Sequence, residues 1–321
     1  MAGLVVSGLV NYVNQESLEQ LVRETMGTKT AKMCNPVPGV KSSFDLHLIA
    51  SSPANQVGGD CAFNASGTTG TFTKRNLVTS PVKVEDNICL QTLETKYTQR
   101  LLTAGQDYSG ADVPKVVMDS LLAEIAEDME QNDWTGTVAG TAKYDGIHTI
   151  LAAETLVNAN SASYIPGGSI ISSVDETNIY KVVQGLYRAM LATAPGVIAK
   201  NPVIVLPLTW FGYLQQYYLD KNYFAYNGTG TFDPDGTIPL LGFANVKVMG
   251  TIGLEGLSTA YMLDFKKNVF LGYDADAAAE GGIPKIWYSQ DNLTHKYSIR
   301  YRRGFQVAYP TEVIKFTIPG S

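Results

Sequence analysis

Val113-Pro114-Lys115-Val116-Val117-Met118-Asp119-Ser120-Leu121-Leu122-Ala123-Glu124-Ile125-Ala126-Glu127-Asp128-Met129-Glu130-Gln131-Asn132 is the stretch on which the reading of the whole chain turns. Val117, Leu121, Ile125 and Met129 recur every fourth residue, flanked by Met118, Leu122 and Ala126, which predicts a helix with one wide apolar stripe. Asp112 is a natural N-cap, and Pro114 falls in the first turn, where its missing N–H is no loss. At roughly 1.5–3 kcal/mol per large apolar side chain, burying the stripe would contribute on the order of 10 kcal/mol. The other face is unusual. Between Val116 and Ala142 stand Asp119, Glu124, Glu127, Asp128, Glu130 and Asp133, with no Lys or Arg among them. All but Asp119 lie in the C-terminal half, where the helix dipole disfavours negative charge.

The basic counterpart comes near the end of the chain. Tyr297, Ile299, Tyr301, Phe305, Val307 and Tyr309 share one parity, while Lys296, Arg300 and Arg302 share the other. That alternation predicts a strand of about a dozen residues, against a usual length of about 5–6. From Lys296 to Arg303 there are four bases and no acid. Two solvated faces would account for such charges. Pairing of the two patches, within one chain or between copies, is the other reading, and it would fix register and specificity.

Outward from these two elements the sequence is less regular. Glu16 to Glu24 predicts a short helix with too small a stripe to stand alone, and Asn35-Pro36-Val37-Pro38-Gly39 breaks regular structure. Phe44, Leu46 and Leu48 alternate with Asp45, His47 and Ile49 as a strand, and a second extended segment runs from Phe72 to Val84. The Gly/Ser/Thr/Asn-rich residues between them cannot pack a core. Ser42 to Val84 therefore reads as a long two-stranded projection that needs outside support. Ser173-Val174-Asp175-Glu176 fits a capping box before a helix carrying Ile179, Val182, Val183, Leu186, Met190 and Leu191. Val203 to Leu206 reads as a buried strand, and Thr209 to Tyr218 as an aromatic-rich helix. Short strands follow at Val246–Val248, Ala260–Leu263 and Val269–Gly272. Helices and antiparallel-looking strands mix without a βαβ rhythm, so the fold class is α+β.

Composition narrows the function classes. Of 321 residues, 45% are apolar, enough for a sizeable core, yet only 17% are charged, against roughly 25% in ordinary soluble proteins. A surface so poor in charge is neutral polar or covered by subunit contacts. A net charge of −6 without a basic stripe excludes tight gripping of a phosphate backbone. Cys34, Cys61 and Cys89 are too few and too far apart for a disulfide framework or a zinc knuckle, and are read as inert thiols. No basic residue precedes the apolar Leu4–Val10, so a signal peptide is not expected, nor is a membrane span. His47, His148 and His295 lack metal-ligand neighbours, and no HExxH, Walker A or GxSxG motif occurs. Asp233-x-Asp235-Gly236 and Asp274-x-Asp276 offer two carboxylates each where calcium takes about 6–8 oxygens, so turns are the better reading. No catalytic residue, cofactor or metal is expected.

The order of elements is itself a signature. An arm and a long two-stranded loop lead to a strand from Ile88 to Leu102 and then to the acidic helix. After that come Trp134-Thr135-Gly136, Tyr144-Asp145-Gly146-Ile147, Leu240-Leu241-Gly242-Phe243, Met262-Leu263-Asp264-Phe265 and the basic strand from Tyr297 to Val307. This order resembles the major capsid proteins of tailed bacteriophages, with the Hong Kong 97-type fold. The resemblance spans nearly the whole chain from Glu16 and rests on the combination, since the family has no catalytic motif. It implies an N-terminal arm at residues 1–41 and an E-loop at 42–84. It implies a P-domain at 85–145 and 287–321, holding the long spine helix and long strands, and an A-domain at 146–286.

The implied function is structural: a homo-oligomer of hexamers and pentamers forming the icosahedral shell around a double-stranded DNA genome, in the virion and assembled in the host cytoplasm. Implied partners are portal, scaffold or decoration proteins and loosely touched DNA, with no membrane. Because the chain starts close to the arm, a separate scaffold or none is implied. Glu124, Glu127, Asp128, Glu130, Lys74, Arg75, Arg300, Arg302 and Arg303 are the expected intersubunit contacts. Lys74 lies in the implied E-loop, but no pattern identifies partners for a crosslink, so that chemistry is not carried over. An encapsulin-type nanocompartment shell and a soluble enzyme with a scattered site are the alternatives.

Overall fold

The computed structural model describes residues 28–50, 71–88, 113–140, 143–221, 237–240, 242–243, 245–274, 285–289 and 294–319. The expected helix at 16–24, the Asp112 cap and the strand from Ile88 to Leu102 lie largely or wholly outside them. In chain order the elements begin with α1 (Lys29–Met33), β1 (Asn35–Pro38), β2 (Ser43–Ala50), β3 (Thr71–Val78) and β4 (Ser80–Ile88). Then come α2 (Val113–Thr135), α3 (Ile147–Ala152), β5 (Val157–Asn158), α4 (Ile179–Thr193), α5 (Pro195–Ile198), β6 (Val203–Pro207) and α6 (Leu208–Asp220). The last are β7 (Thr237–Pro239), β8 (Lys247–Thr251), β9 (Thr259–Leu263), α7 (Phe265–Asn268), β10 (Val269–Asp274), β11 (Lys285–Ser289), β12 (Thr294–Val307) and β13 (Ile314–Thr317).

The six-stranded sheet, β5-β13-β9-β6-β8-β7, is covered on both faces. Period-two alternation does this. On β6, Ile204 and Leu206 join a core built with α4 and α6, whereas Val203 and Val205 join a second core with α2. On β9, Ala260 and Met262 point one way, Tyr261 and Leu263 the other. Strands buried on both faces read as continuous apolar runs, which is why Val203–Leu206 was recognisable.

The other large sheet is organised by β12, and its 14 residues have a reason. Along one edge it pairs antiparallel with β4, from His295 to Arg303. Along the other it pairs first with β11 and then with β10. β1 adds a parallel strand beyond β10, pairing Asn35–Pro38 with Phe270–Tyr273. Tyr297, Ile299, Tyr301, Phe305 and Val307 are buried and pack in one core with Met129 and Trp134 of α2.

Three sequence expectations change. The second extended segment is two strands: β3 ends at Val78, and after Thr79 the chain enters the five-stranded sheet as β4, so the free projection is β2–β3 alone. The capping box at Ser173 does not form. The Asp175 carboxylate closes instead on the backbone N–H groups of Thr177 (2.8 Å) and Asn178 (3.0 Å), an Asx turn that delays the helix to Ile179. Leu191 also lies outward at 51% exposure, about 100° around the helix from buried Met190.

Candidate functional site: a buried polar node

The C-terminal turns of α2 carry Glu130, Asp133 and Trp134, spaced so that they share one face. That face is turned inward. Glu130 is 7% exposed, Asp133 0% and Arg303, arriving from β12, 1%. Arg303 donates through Nε to Asp133 Oδ1 at 2.7 Å and through Nη2 to Oδ2, a bidentate charge-assisted pair. Tyr144 Oη donates to Asp133 Oδ1 at 3.0 Å, and Thr28 Oγ1 donates to Oδ2 at 3.1 Å. Arg303 Nη2 also reaches Thr28 Oγ1 at 3.0 Å. The guanidinium lies 5.5 Å from the centre of the Phe305 ring.

Glu130 forms the second half of the node. Its carboxylate accepts from Thr30 Oγ1 at 2.6 Å, the Thr30 N–H at 3.2 Å and Thr251 Oγ1 at 2.8 Å. Trp134 Nε1 donates to Thr30 Oγ1 at 2.8 Å. Thr28 also caps α1, accepting from the Ala31 N–H at 3.2 Å. The node therefore clamps five parts of the chain together: the start of α1, the end of α2, Tyr144 in the link to α3, the end of β8 and Arg303 of β12. Buried charge is tolerated here because each carboxylate oxygen has donors.

Electrostatics follow the same geometry. Burial raises the Asp133 carboxyl, against the pull of Arg303. Burial opposes the charge on Arg303 too, but Asp133, Tyr144 and Tyr301 together outweigh it and hold the guanidinium above its ordinary value. Burial and then Asp133 push the Tyr144 hydroxyl far up, so it stays a donor. Cys34, fully buried beside the node, is raised well above a normal thiol by burial and then by Asp133. The other two cysteines lie outside the described residues. Among the described residues no group of three or more His, Cys, Asp or Glu side chains could hold a metal. No described helix is long and apolar enough to cross a membrane. The node binds segments of the chain to one another.

The sequence-predicted contact residues divide in two. Glu130 and Arg303, expected to face a neighbouring copy, are used inside the chain. Arg75 is also engaged internally, donating to the Val307 carbonyl at 2.9 Å and ion-pairing with Glu154. Glu124, Glu127 and Asp128 are exposed on α2, with Asp128 accepting from Asn132 at 2.9 Å. Lys74 pairs with Asp45 at 3.3 Å and Arg300 with Glu85 at 3.3 Å, both on the surface, where such pairs hold loosely. Arg302 is half-buried and donates to the Lys41 carbonyl. Thr28, Thr30 and Thr251 were not singled out, since lone hydroxyls carry no sequence signal, and Tyr144 entered only as part of the Tyr144–Ile147 segment of the resemblance, with no role of its own. Arg303 did carry one: it has the parity of Tyr301 and Phe305, the buried face.

No protein-family model matches the sequence. No curated protein matches it either. Solved structures do. The procapsid of satellite phage P4, with its size-determination protein, is similar over 94% of this chain and 98% of that one, with a TM-score of 0.54 and 11% identity. The capsid of Myoviridae phage XM1 is similar over 87% and 86%, with 0.53 and 12%. A virus-like particle from Pyrococcus furiosus is similar over 94% and 99%, with 0.51 and 9%. At such identities the likeness is one of fold: the chain has the α+β, Hong Kong 97-type capsid fold.

Proposed function

We propose that this chain is the major capsid protein of a tailed bacteriophage, assembling as hexamers and pentamers into the icosahedral shell around its double-stranded DNA. The observation that carries the proposal is the pairing of a rigidly clamped body with a projection left unfinished. The node ties α1, α2, β8 and β12 into one unit. The β2–β3 hairpin meanwhile presents Phe44 at 47%, Phe72 at 78% and Val78 at 52% exposure, apolar side chains that an adjacent copy would cover. The likeness to the P4 and XM1 capsid structures supports the same reading.

In this reading the hairpin is the E-loop, covering an adjacent copy. The five-stranded sheet with α2 serves as the P-domain and the six-stranded sheet with α4 and α6 as the A-domain. The sheets favour boundaries finer than 85–145, 146–286 and 287–321, since β10 belongs with the first sheet and β13 with the second. Exposed Glu124, Glu127 and Asp128, with Lys74, Arg300 and Arg302, are the charges offered to neighbours. Weak contacts of this kind add across a closed shell. The shell belongs to the virion, is assembled in the host cytoplasm, and has a structural rather than enzymatic role. A portal, a scaffold or decoration proteins would complete it, and DNA would be touched only loosely by so acidic a chain.

Electron microscopy of the expressed protein tests this. Closed shells are expected; monomers alone, across salt conditions and with scaffold supplied, would overturn it. The second reading is an encapsulin-type compartment; the likeness to the Pyrococcus furiosus virus-like particle supports it no better than the phage capsids support the first. Nucleic acid inside native shells separates the first reading from the second, for which packaged enzyme is expected.

A further inference from the structure

Gly272 of β10 and Gly304 of β12 face each other directly in the antiparallel ladder. Glycine inside a strand weakens it, and its presence marks a close approach of another backbone. Here that backbone is the root of the β2–β3 hairpin. A Cβ on Gly304 would meet the Val78 carbonyl, 2.9 Å from its carbon and 3.1 Å from Thr79 Cα. One on Gly272 would lie 2.8 Å from Thr79 Cγ2 and 3.0 Å from Leu77 Cδ2. Leu77 is 0% exposed, so the root is seated rather than merely nearby.

The same short segment is braced from its other sides. The Thr79 N–H donates to the Ser42 carbonyl at 2.9 Å, and Thr79 Oγ1 donates to the Val40 carbonyl at 2.7 Å, which ties the two hairpin strands where they leave the body. Gln306 Nε2 donates to the Asn76 carbonyl at 2.7 Å, next to the Arg75 contacts with Val307 and Glu154. Beyond this root β3 keeps the residues from Thr71 to Asn76, and at roughly 3.3 Å per residue they form a lever on the order of 20 Å. A small displacement at the root is multiplied at the tip.

We propose that the Gly272–Gly304 pair is a seat that sets the angle of the hairpin against the body, and through that angle the curvature of the shell. The inference rests on the shell-forming reading above. Its mechanism is steric. Gly304 lets the Val78–Thr79 backbone, and Gly272 the Leu77 and Thr79 side chains, lie against the β10–β12 ladder, and the Thr79, Gln306 and Arg75 hydrogen bonds hold the root there.

The test uses Gly272→Ala, alone and with Thr79→Ser, which removes the clashing methyl while keeping the hydroxyl on Val40. Nitroxide labels at Thr73→Cys and Glu176→Cys, in a chain with Cys61 and Cys89 changed to Ser, report the hairpin–body distance; buried Cys34 stays unlabelled. Gly272→Ala is expected to shift that distance and to reduce native-sized shells about tenfold, because a small angular error recurs at every copy. Thr79→Ser in the same chain restores both. An unchanged distance in Gly272→Ala overturns the seat. A shifted distance with shells of normal size and yield overturns its link to curvature. Failure of the unsubstituted protein to form shells would overturn the shell-forming reading and the curvature link with it, while the distance measurement still decides whether the seat exists.

Discussion

Arg303 of β12 and Asp133 of α2 form a bidentate ion pair with side chains 1% and 0% exposed. The pair joins the longest strand to the longest helix across 170 residues of sequence. Removing one member strands the other charge in the interior. Asp133→Leu or Arg303→Met is therefore expected to destabilise the unassembled chain by roughly 3–5 kcal/mol, whereas the two together cost less than the sum of the single changes. Denaturant midpoints of the four proteins check this; strict additivity would show that the two residues act independently.

Cys34 provides a reporter for the same region. Its thiol is buried and raised well above its ordinary value, so it carries almost no thiolate while the node is closed. In a chain with Cys61 and Cys89 replaced by Ser, a disulfide reagent is expected to label Cys34 only as fast as the protein opens. Asp133→Asn should speed that labelling. Immediate reaction of the unsubstituted chain would contradict the closed node.

His148 gives the pH dependence. Its ring Nδ1 lies 2.7 Å from the Tyr261 hydroxyl. Burial, and then the Lys315 charge, lower its pKa from the ordinary 6.5. The unfolded chain thus binds this proton more readily than the folded one, so stability rises with pH through that window and is lost as pH falls below the unfolded value. Melting temperature is expected to drop between about pH 7 and about pH 5 more steeply for the natural sequence than for His148→Gln. Identical slopes would remove His148 from the account.

The exposed acids of α2 are expected to matter between copies. Glu127→Lys with Asp128→Lys should leave the unassembled chain within about 0.5 kcal/mol of its normal stability, as for surface changes generally, yet block shell formation. Sedimentation and negative-stain microscopy read the outcome. Normal shells from the double variant would mean that this face is merely solvated.

How much of this was legible in the sequence depends on how locally each feature is encoded. The stripe of α2, the alternation of β12 and the apolar run of β6 are periodic, and each was placed within a few residues. The node was not. Glu130 and Arg303 read as surface charges because burying a charge is normally prohibitive, and it succeeds here through Asp133 for Arg303 and through Thr30 and Thr251 for Glu130, partners distant in the sequence. The break at Thr79 was hidden for a similar reason. Nothing local distinguishes β3 from β4; their partners do, β2 for one and β12 for the other. At Asp175 two local rules competed, and the shorter-range Asx turn won over the capping box.

The parallel pairing of β1 with β10, together with Thr28 and Thr30 at the node, has a consequence for synthesis on the ribosome. Residues 28–38 have their binding places far later in the chain: Phe270–Tyr273, and then Arg303. A nascent chain therefore carries this segment unseated until β10 and then Arg303 have left the ribosome, and the node closes only after that. Protease cleavage within residues 28–38 should persist in ribosome-bound chains whose Arg303 has not emerged and vanish once it is free to pair with Asp133.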